Sequence, residues 1–588
     1  MLAREMRASV ARAMSLRRRA ALLPLAALLA VAALLLLADL GGPRLWEDES
    51  DTALFARSIA RHGLPLAWDG RTFVDSDDGL RVVPRALGQP LVMVGTPWLP
   101  YYAAAASFAV FGESEWAARL PFALAAIATV AALYAWVLRS TGCIRSAFAA
   151  GFLLLASTQF LLYGREARSY ALNMLLTVLV LAGFERLGER RRDPWLALAA
   201  IGLFHAQILP AALALAACAA VALLRADQRK RFVPLVLRAP WVIAATVPWL
   251  ALSWSATGTN WASPESAAAL LPRAGQLAVE ATVAIPWIGF AIGVPLLWRR
   301  CADGDRLLLA LCGAWLAAFA VLTPLALSQS LLEVVGLRYV CGVLPVAAAV
   351  SGVLIARASR GRVIAYAALL ALFAATELAG GALPWLAIGE TRRAGGVLWQ
   401  APRTLADKLL NTTWASFARG LGARAPGTLA QIVDLLSRES GRDDVVLTNF
   451  GWDALYWYAE RPIGMRIAVD APVRRAAQRM GLPAYVFDYD HAQWLVWRGG
   501  NEALLGYPLT LLQWRLPEVR AALAKRGARL EEVAALPETL WENRPELYWH
   551  RFPEARRPFA PAALAGGTPY DDARIFRIRW SEPAPSDD

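Results

Sequence analysis

About eleven apolar runs, most of them 15 to 23 residues long, occupy the first 390 positions, and they restrict the fold more than anything else in the chain. Runs of that length without strand-like alternation are membrane helices, because a helix satisfies every backbone hydrogen bond within itself where no water is available. They fall near 20–40, 119–139, 146–163, 168–187, 195–209, 210–225, 233–254, 276–298, 306–328, 338–356 and 363–386. Composition agrees: 57% of residues are hydrophobic, only 18% are charged, and 24 are Trp, which no ordinary soluble domain matches.

The loops between the runs alternate in charge, which sets an orientation. Arg139 with Arg145, Arg186 with Arg190 to Arg192, Arg225 with Arg229 to Arg231, Arg299 with Arg300 and Arg306, and Arg357 with Arg360 and Arg362 all fall on one side. That is the side of the N-terminus, where Arg4, Arg7, Arg12 and Arg17 to Arg19 precede the first run. The first run is too long for a signal-peptide core, and Gly41-Gly42-Pro43 lacks a small-x-small cleavage pattern, so it reads as a retained span with a cytoplasmic N-terminus. The register requires 195–225 to be split at Pro210 into two short spans; one long kinked helix would invert everything after it. The net charge of +13 is then topological, and nucleic acid is excluded as a partner.

This topology puts a long loop at 41–118 and everything beyond about 390 on the outer side. The five cysteines all lie in spans or inner loops, so the outer parts have no disulfides, and the spacing matches no metal site. The outer loop opens on Glu47, Asp48, Glu49 and Asp51, carboxylates that are costly beside lipid unless they bind something or do chemistry. Glu47 and Asp51 read as solvated or capping residues. The following DTALFARSIARH, 51–62, has Leu54, Phe55 and Ile59 on one side and Arg57 and Arg61 on the other, an amphipathic helix suited to lie in the interface. PWLPYYAAAASFAVFG at 97–112 is apolar, aromatic and too short to cross, and is expected to lie along the outer leaflet. Other polar groups gather at the same face: Arg165, Glu166, Arg168 and Tyr170 in a short turn, His205, Gln207, Glu280, Arg338, Tyr339 and Glu377. Guanidiniums at one depth suit a phosphate and carboxylates suit a base, so an outward-opening polar cavity is expected. His205 could hold a divalent ion with Glu280, or simply pack between helices.

Several motifs occur in a telling order: Asp48-Glu49, PWLPYY at 97–102, FGESEWAARLP at 111–121, YGREARSYAL at 163–172 and GLRYVCGVLP at 336–345. In this the chain resembles the C-type membrane glycosyltransferases that use polyprenyl-phosphate sugars, on the branch with the protein O-mannosyltransferases and the lipid A aminoarabinose transferases. Where the latter usually have Lys-Pro-Pro-Leu this chain has Thr96-Pro97-Trp98-Leu99, which weakens lipid A as the acceptor. The resemblance implies inverting transfer from a lipid-linked donor held in the outer leaflet; the high Ala, Arg and Trp content fits a bacterial chain from GC-rich DNA, so a bacterial inner membrane is the expected setting. The resemblance also implies Asp48 as general base with Glu49 in reserve. Arg119, then Arg168 or Arg165, and Arg338 would hold the phosphate, with Tyr170 nearby and Trp98, Tyr101 and Tyr102 stacking on sugar or isoprene. The acceptor would be a glycan, lipid or protein, and no cofactor is certain.

From about 390 charged residues rise and a second, periplasmic α/β domain of roughly 200 residues is expected, with an acidic tail after 581. Strands are expected at 445–449, 484–489 and 573–580, with a helix at 427–439. The Trp- and Tyr-dense 448–462 is expected to pack on the membrane part rather than bind glycan. The overall fold class is a polytopic all-α bundle of about eleven spans, 1–389, with interfacial helices in the outer loop and a C-terminal α/β domain. A transporter or flippase is the competing reading; neither repeated spans nor paired broken helices support it.

Overall fold

The computed structural model describes residues 2–74, 82–187, 193–257, 270–281, 284–327 and 334–376, and in the C-terminal part chiefly 427–449, 452–464, 471–486, 492–498, 516–536 and 573–581. Side chains before residue 20 lie outside the description. The apolar runs fold into α1 (Leu2–Leu37), α4 (Glu115–Thr141), α5 (Ile144–Leu155), α6 (Thr158–Arg165), α7 (Tyr170–Arg186), α8 (Trp195–Ala206), α9 (Ile208–Leu224), α10 (Phe232–Val236), α11 (Ala239–Thr257), α12 (Leu270–Glu280), α13 (Trp287–Leu297), α14 (Asp303–Ala326), α15 (Val343–Ala358) and α16 (Val363–Ala375). Between α1 and α4 lie α2 (Glu47–His62), the hairpin β1 (Val82–Ala86) and β2 (Gln89–Met93), and α3 (Leu99–Phe111). By length and composition, three stretches among the described residues are fit to cross a membrane: Ala20–Leu37, Glu115–Thr141 and Asp303–Ala326. Two bent pairs, α5 with α6 at 68° and α9 with the 226–236 segment at 119°, raise this to five. Most of the other runs form shorter apolar helices.

The 195–225 segment folds back on itself, but the break is at Gln207 rather than Pro210. Gln207 has an extended backbone (φ −168°, ψ 136°), and Pro210 sits inside the first turn of α9, where its missing N–H costs nothing. Beyond α9, Arg238 donates to the Asp193 carbonyl that precedes α8, at 3.1 Å. A straight α8–α9 rod would be about 45 Å long at 1.5 Å per residue, and the 13 residues after it, partly coiled, could not return that distance. The tip of the fold-back meets the start of α7, where Gln207 accepts hydrogen bonds from Ser169 and Asn173.

Close helix contact in the bundle depends on small residues. A Cβ on Gly352 of α15 would stand 2.5 Å from the Ser146 carbonyl oxygen and 2.8 Å from the Ala150 nitrogen of α5, both main-chain atoms that cannot step aside. Gly352→Leu is therefore expected to separate α15 from α5 and to reduce sharply the monodisperse fraction in size-exclusion chromatography, by an overpacking penalty of at least 1–3 kcal/mol. Gly313→Leu on α14, where nothing lies within 4 Å, is the control; equal behaviour of the two variants would refute the argument.

The expected interfacial helix exists, but it begins at Glu47 and is not laid open to lipid. Leu54, Phe55 and Ile59 are buried, and α3 covers one side. The other side is covered from far along the chain by a helix at Trp452–Ala459. The β1–β2 hairpin turns on Leu87-Gly88, both at positive φ, as a two-residue turn needs. In the C-terminal part, the short antiparallel pair β3 (Arg393–Ala394) and β4 (Val397–Leu398) comes first, and α17 (Thr428–Glu439), α18 (Trp452–Ala459), α19 (Ala471–Arg479) and α20 (Leu516–Lys525) accompany a four-stranded sheet. Its order is β5 (Val446–Thr448), β6 (Trp494–Arg498), β8 (Ala573–Trp580) and β7 (Ala528–Leu536); β5–β6 is parallel and the other pairs antiparallel. The strand expected from 484 is instead a 3-10 turn at Ala484–Val486, packed by Val486 against Val473 and Ala477 of α19. Residues 487–491 and the acidic tail from 582 lie outside the described residues, as does Glu377.

Candidate active site

The site is built at the first turn of α2, where the helix dipole favours negative charge. Glu49 is the helix's anchor. Its carboxylate accepts two bonds from Arg119 of α4, at 2.8 Å and 2.6 Å, and one from the Ala167 N–H at 2.9 Å. It also caps the Trp46 N–H at 3.3 Å. Arg119 spends its other three N–H groups on the carbonyls of Leu40 (3.0 Å), Pro43 (2.6 Å) and Arg44 (2.9 Å). All five guanidinium donors thus have protein acceptors, and the pair is buried, with side-chain exposures of 7% and 1%. In this geometry Arg119 has no donor left for a phosphate, and Glu49 has a mounting role.

Asp48, one residue earlier, points to a different set of partners. Arg338, in the 3-10 stretch Val334–Val340, lies 3.1 Å from its Oδ2, and Arg168, in the turn before α7, lies 3.9 Å from the same atom. Arg168 also pairs with Asp51 at 2.8 Å and donates to the Asp48 carbonyl at 3.0 Å. Arg338 donates to the Tyr339 hydroxyl at 2.9 Å, and its guanidinium lies 4.9 Å from that ring and 5.8 Å from the Trp46 ring. Two carboxylates and two guanidiniums therefore meet at zero net charge. Asp48 is 20% and Asp51 19% exposed, so the cluster is partly open, whereas the Arg338 side chain, at 4%, is held below it.

Asp51 is thus neither solvated nor a cap, a correction to the sequence reading. Its spacing of three from Asp48 places both on one helix face, and that signal was present in the sequence. Tyr101 joins the cluster: its hydroxyl reaches Asp51 at 3.5 Å and Thr96 Oγ1 at 2.6 Å. Tyr170 is buried, stacks edge-on with Tyr163 at 5.4 Å, and its hydroxyl lies close enough to Arg338, Asp48 and Arg168 to feel their charges.

Other expected site residues lie apart. Tyr102 donates to the Gly63 carbonyl at the far end of α2, about 22 Å along the helix from Asp48. The Trp98 indole donates to Met93 in β2. Arg165 faces α1, donating to the carbonyls of Leu35 (2.8 Å) and Asp39 (3.1 Å). His205 meets the Ala245 carbonyl at 3.0 Å, and the Glu280 side chain lies outside the described residues. Among the described residues no three His, Cys, Asp or Glu side chains group as a metal site.

Glu47 faces away from the cluster, accepting from the Ala454 N–H at the start of α18 at 3.3 Å. Burial, reinforced by Asp48 and Asp51 and only partly offset by that N–H, pushes its carboxyl up to about 8. The folded chain then keeps a proton that the unfolded chain releases above about 4.5. This stabilisation is complete below that pH and is lost as pH rises to about 8. Glu47→Gln is expected to flatten the decline of thermal midpoint between pH 5 and 8; parallel curves for both proteins would contradict it.

Residues 95–254 match the family model described as dolichyl-phosphate-mannose-protein mannosyltransferase. The match includes Arg119, Arg168 and Tyr170 but stops short of Asp48 and Arg338. No curated protein sequence matches the chain. Among solved structures the fold is similar to ArnT from Cupriavidus metallidurans in the apo state, with a TM-score of 0.54 and 17% identity over 87% of this chain and 95% of that one. The same protein bound to undecaprenyl phosphate gives 0.52 and 16%, covering 87% and 96%. On these grounds the chain resembles the branch of C-type membrane glycosyltransferases to which its motifs pointed, sharing a family segment with the protein mannosyltransferases and a fold with ArnT.

Proposed function

We propose that the chain transfers a sugar, with inversion, from a polyprenyl-phosphate donor to an acceptor at the periplasmic face of a bacterial inner membrane. The observation that carries this reading is the convergence of Arg338 and Arg168 on the Asp48 carboxylate at the head of α2. A sugar phosphate brings an anion, which the two guanidiniums suit, and the acceptor brings a hydroxyl proton, which a carboxylate takes. In the reaction the acceptor oxygen bonds to the anomeric carbon as the bond to the phosphate oxygen breaks. The proton goes to Asp48, and the polyprenyl phosphate departs with its negative charge held by Arg338 and Arg168. Before the donor arrives, Asp48 and Asp51 keep these two cations in place and neutralised. Glu49 and Arg119 hold the helix rather than touch the substrate, and Tyr101 and Tyr170 border the sugar. The apolar helices seat the isoprenoid in a bundle of about eleven crossings, with the C-terminal α/β part in the periplasm.

The test is transfer from a panel of radiolabelled polyprenyl-phosphate sugars in membranes carrying wild type or Asp48→Asn. Label is expected to pass to a product that no longer partitions with the donor lipid, with the variant slower by about 10² or more. Consumption of no donor, or equal rates, would overturn the assignment.

A further inference from the structure

The residues just before Asp48 are held from two sides. Below, Arg119 binds the carbonyls of Leu40, Pro43 and Arg44. Above, the C-terminal helix α18 reaches the same segment from more than 400 positions along the chain. The Leu45 N–H donates to the Tyr458 hydroxyl at 2.6 Å, and the Arg44 guanidinium lies 4.4 Å from the Tyr458 ring. One turn back, the Ala454 N–H meets Glu47. The same helix stacks Trp457 on Phe108 of α3 at 6.0 Å and under Arg57 of α2 at 4.1 Å, and Tyr456 donates to Asp69 at 2.6 Å. The aromatic stretch thus grips the catalytic segment through hydroxyls and ring faces aimed at named partners.

We propose that Tyr458 is a positioning residue for the transfer reaction: its hydroxyl fixes the Leu45 amide and thereby the distance of the Asp48 carboxylate from Arg338. This rests on the proposed function for its kinetic part. Leu45 is three residues from Asp48, and the Arg338 guanidinium stands 3.1 Å from the Asp48 carboxylate, so a backbone shift of about 1 Å carries that pair beyond hydrogen-bond distance. Misplacement of a reacting group by about 1 Å costs up to roughly 10²-fold in rate. The C-terminal part is, on this view, a working piece of the active site that touches no substrate.

Tyr458→Phe in the full-length protein tests this, since it keeps the ring and its packing and removes only the oxygen. The expected result is a fall in kcat of about 3- to 10-fold, the worth of one hydrogen bond. The donor KM should stay within twofold and the thermal midpoint should hold. Hydrogen exchange, which needs no donor, is expected to quicken at 44–48 while α4 and α7 are unchanged. An unchanged kcat, or a fall in kcat that follows a general fall in stability, would overturn the proposal, as would unaltered exchange at 44–48. Faster local exchange in Tyr458→Phe, together with a wild-type protein that consumes no donor, would keep the mount and sink the transferase reading instead.

Discussion

Replacing Arg338 with Ala is expected to slow transfer by about 10²–10³-fold, the usual effect of removing one preorganised donor to a developing anion. The size follows from where the guanidinium sits. It is almost wholly enclosed, already 3.1 Å from Asp48, and flanked by the Trp46 and Tyr339 rings. No water can fill its place with a comparable charge. Arg338→Lys should recover part of the loss, because it restores the charge but not the planar fork. Single-turnover rates with a saturating lipid-linked donor would measure this. A rate within tenfold of wild type for Arg338→Ala would mean that the leaving phosphate is held elsewhere.

The second large effect is on folding. Arg119→Ala is expected to cost about 3–5 kcal/mol, the range for removing one partner of a buried ion pair. It would leave Glu49 charged at 1% exposure and three carbonyls of the preceding segment without their donor. The loss should exceed that of the double variant Arg119→Met, Glu49→Leu, in which no uncompensated charge remains. Equilibrium unfolding in mixed micelles would compare the three. A single-variant loss below about 1 kcal/mol would show that the pair is dispensable.

Hydropathy made the bundle legible because long apolar runs in lipid have few alternatives, and α4, α7, α14 and α15 lie close to where those runs predict. The fold-back between α8 and α9 was legible as an event but was misplaced by three residues. Proline was taken as the breaker, although at a helix start it is harmless. The β1–β2 hairpin escaped because Pro84 and Pro90 disguise its strands, and β6 because WLVWR, buried throughout, shows no alternation. In the site, the residue types were visible and the pairings were not. Glu49 and Arg119 stand 70 positions apart, Asp48 and Arg338 290, and nothing local told which acid would be sealed beneath the helix and which left open above it. Asp51 is the one residue whose part a closer reading of spacing would have found.

The manner in which Arg119 grips the segment before α2 has a consequence for how such proteins can diverge. It holds main-chain oxygens, and every residue has one, so the side chains at 40, 43 and 44 can drift without loosening the grip. The arginine itself has no such latitude, for no substitution within the segment could supply the five donors from the other side. Selection for this grip would therefore bear on one position of α4, and the letters of the ribbon would answer only to their other packing, such as Leu40 in the core and Arg44 against the Tyr458 ring.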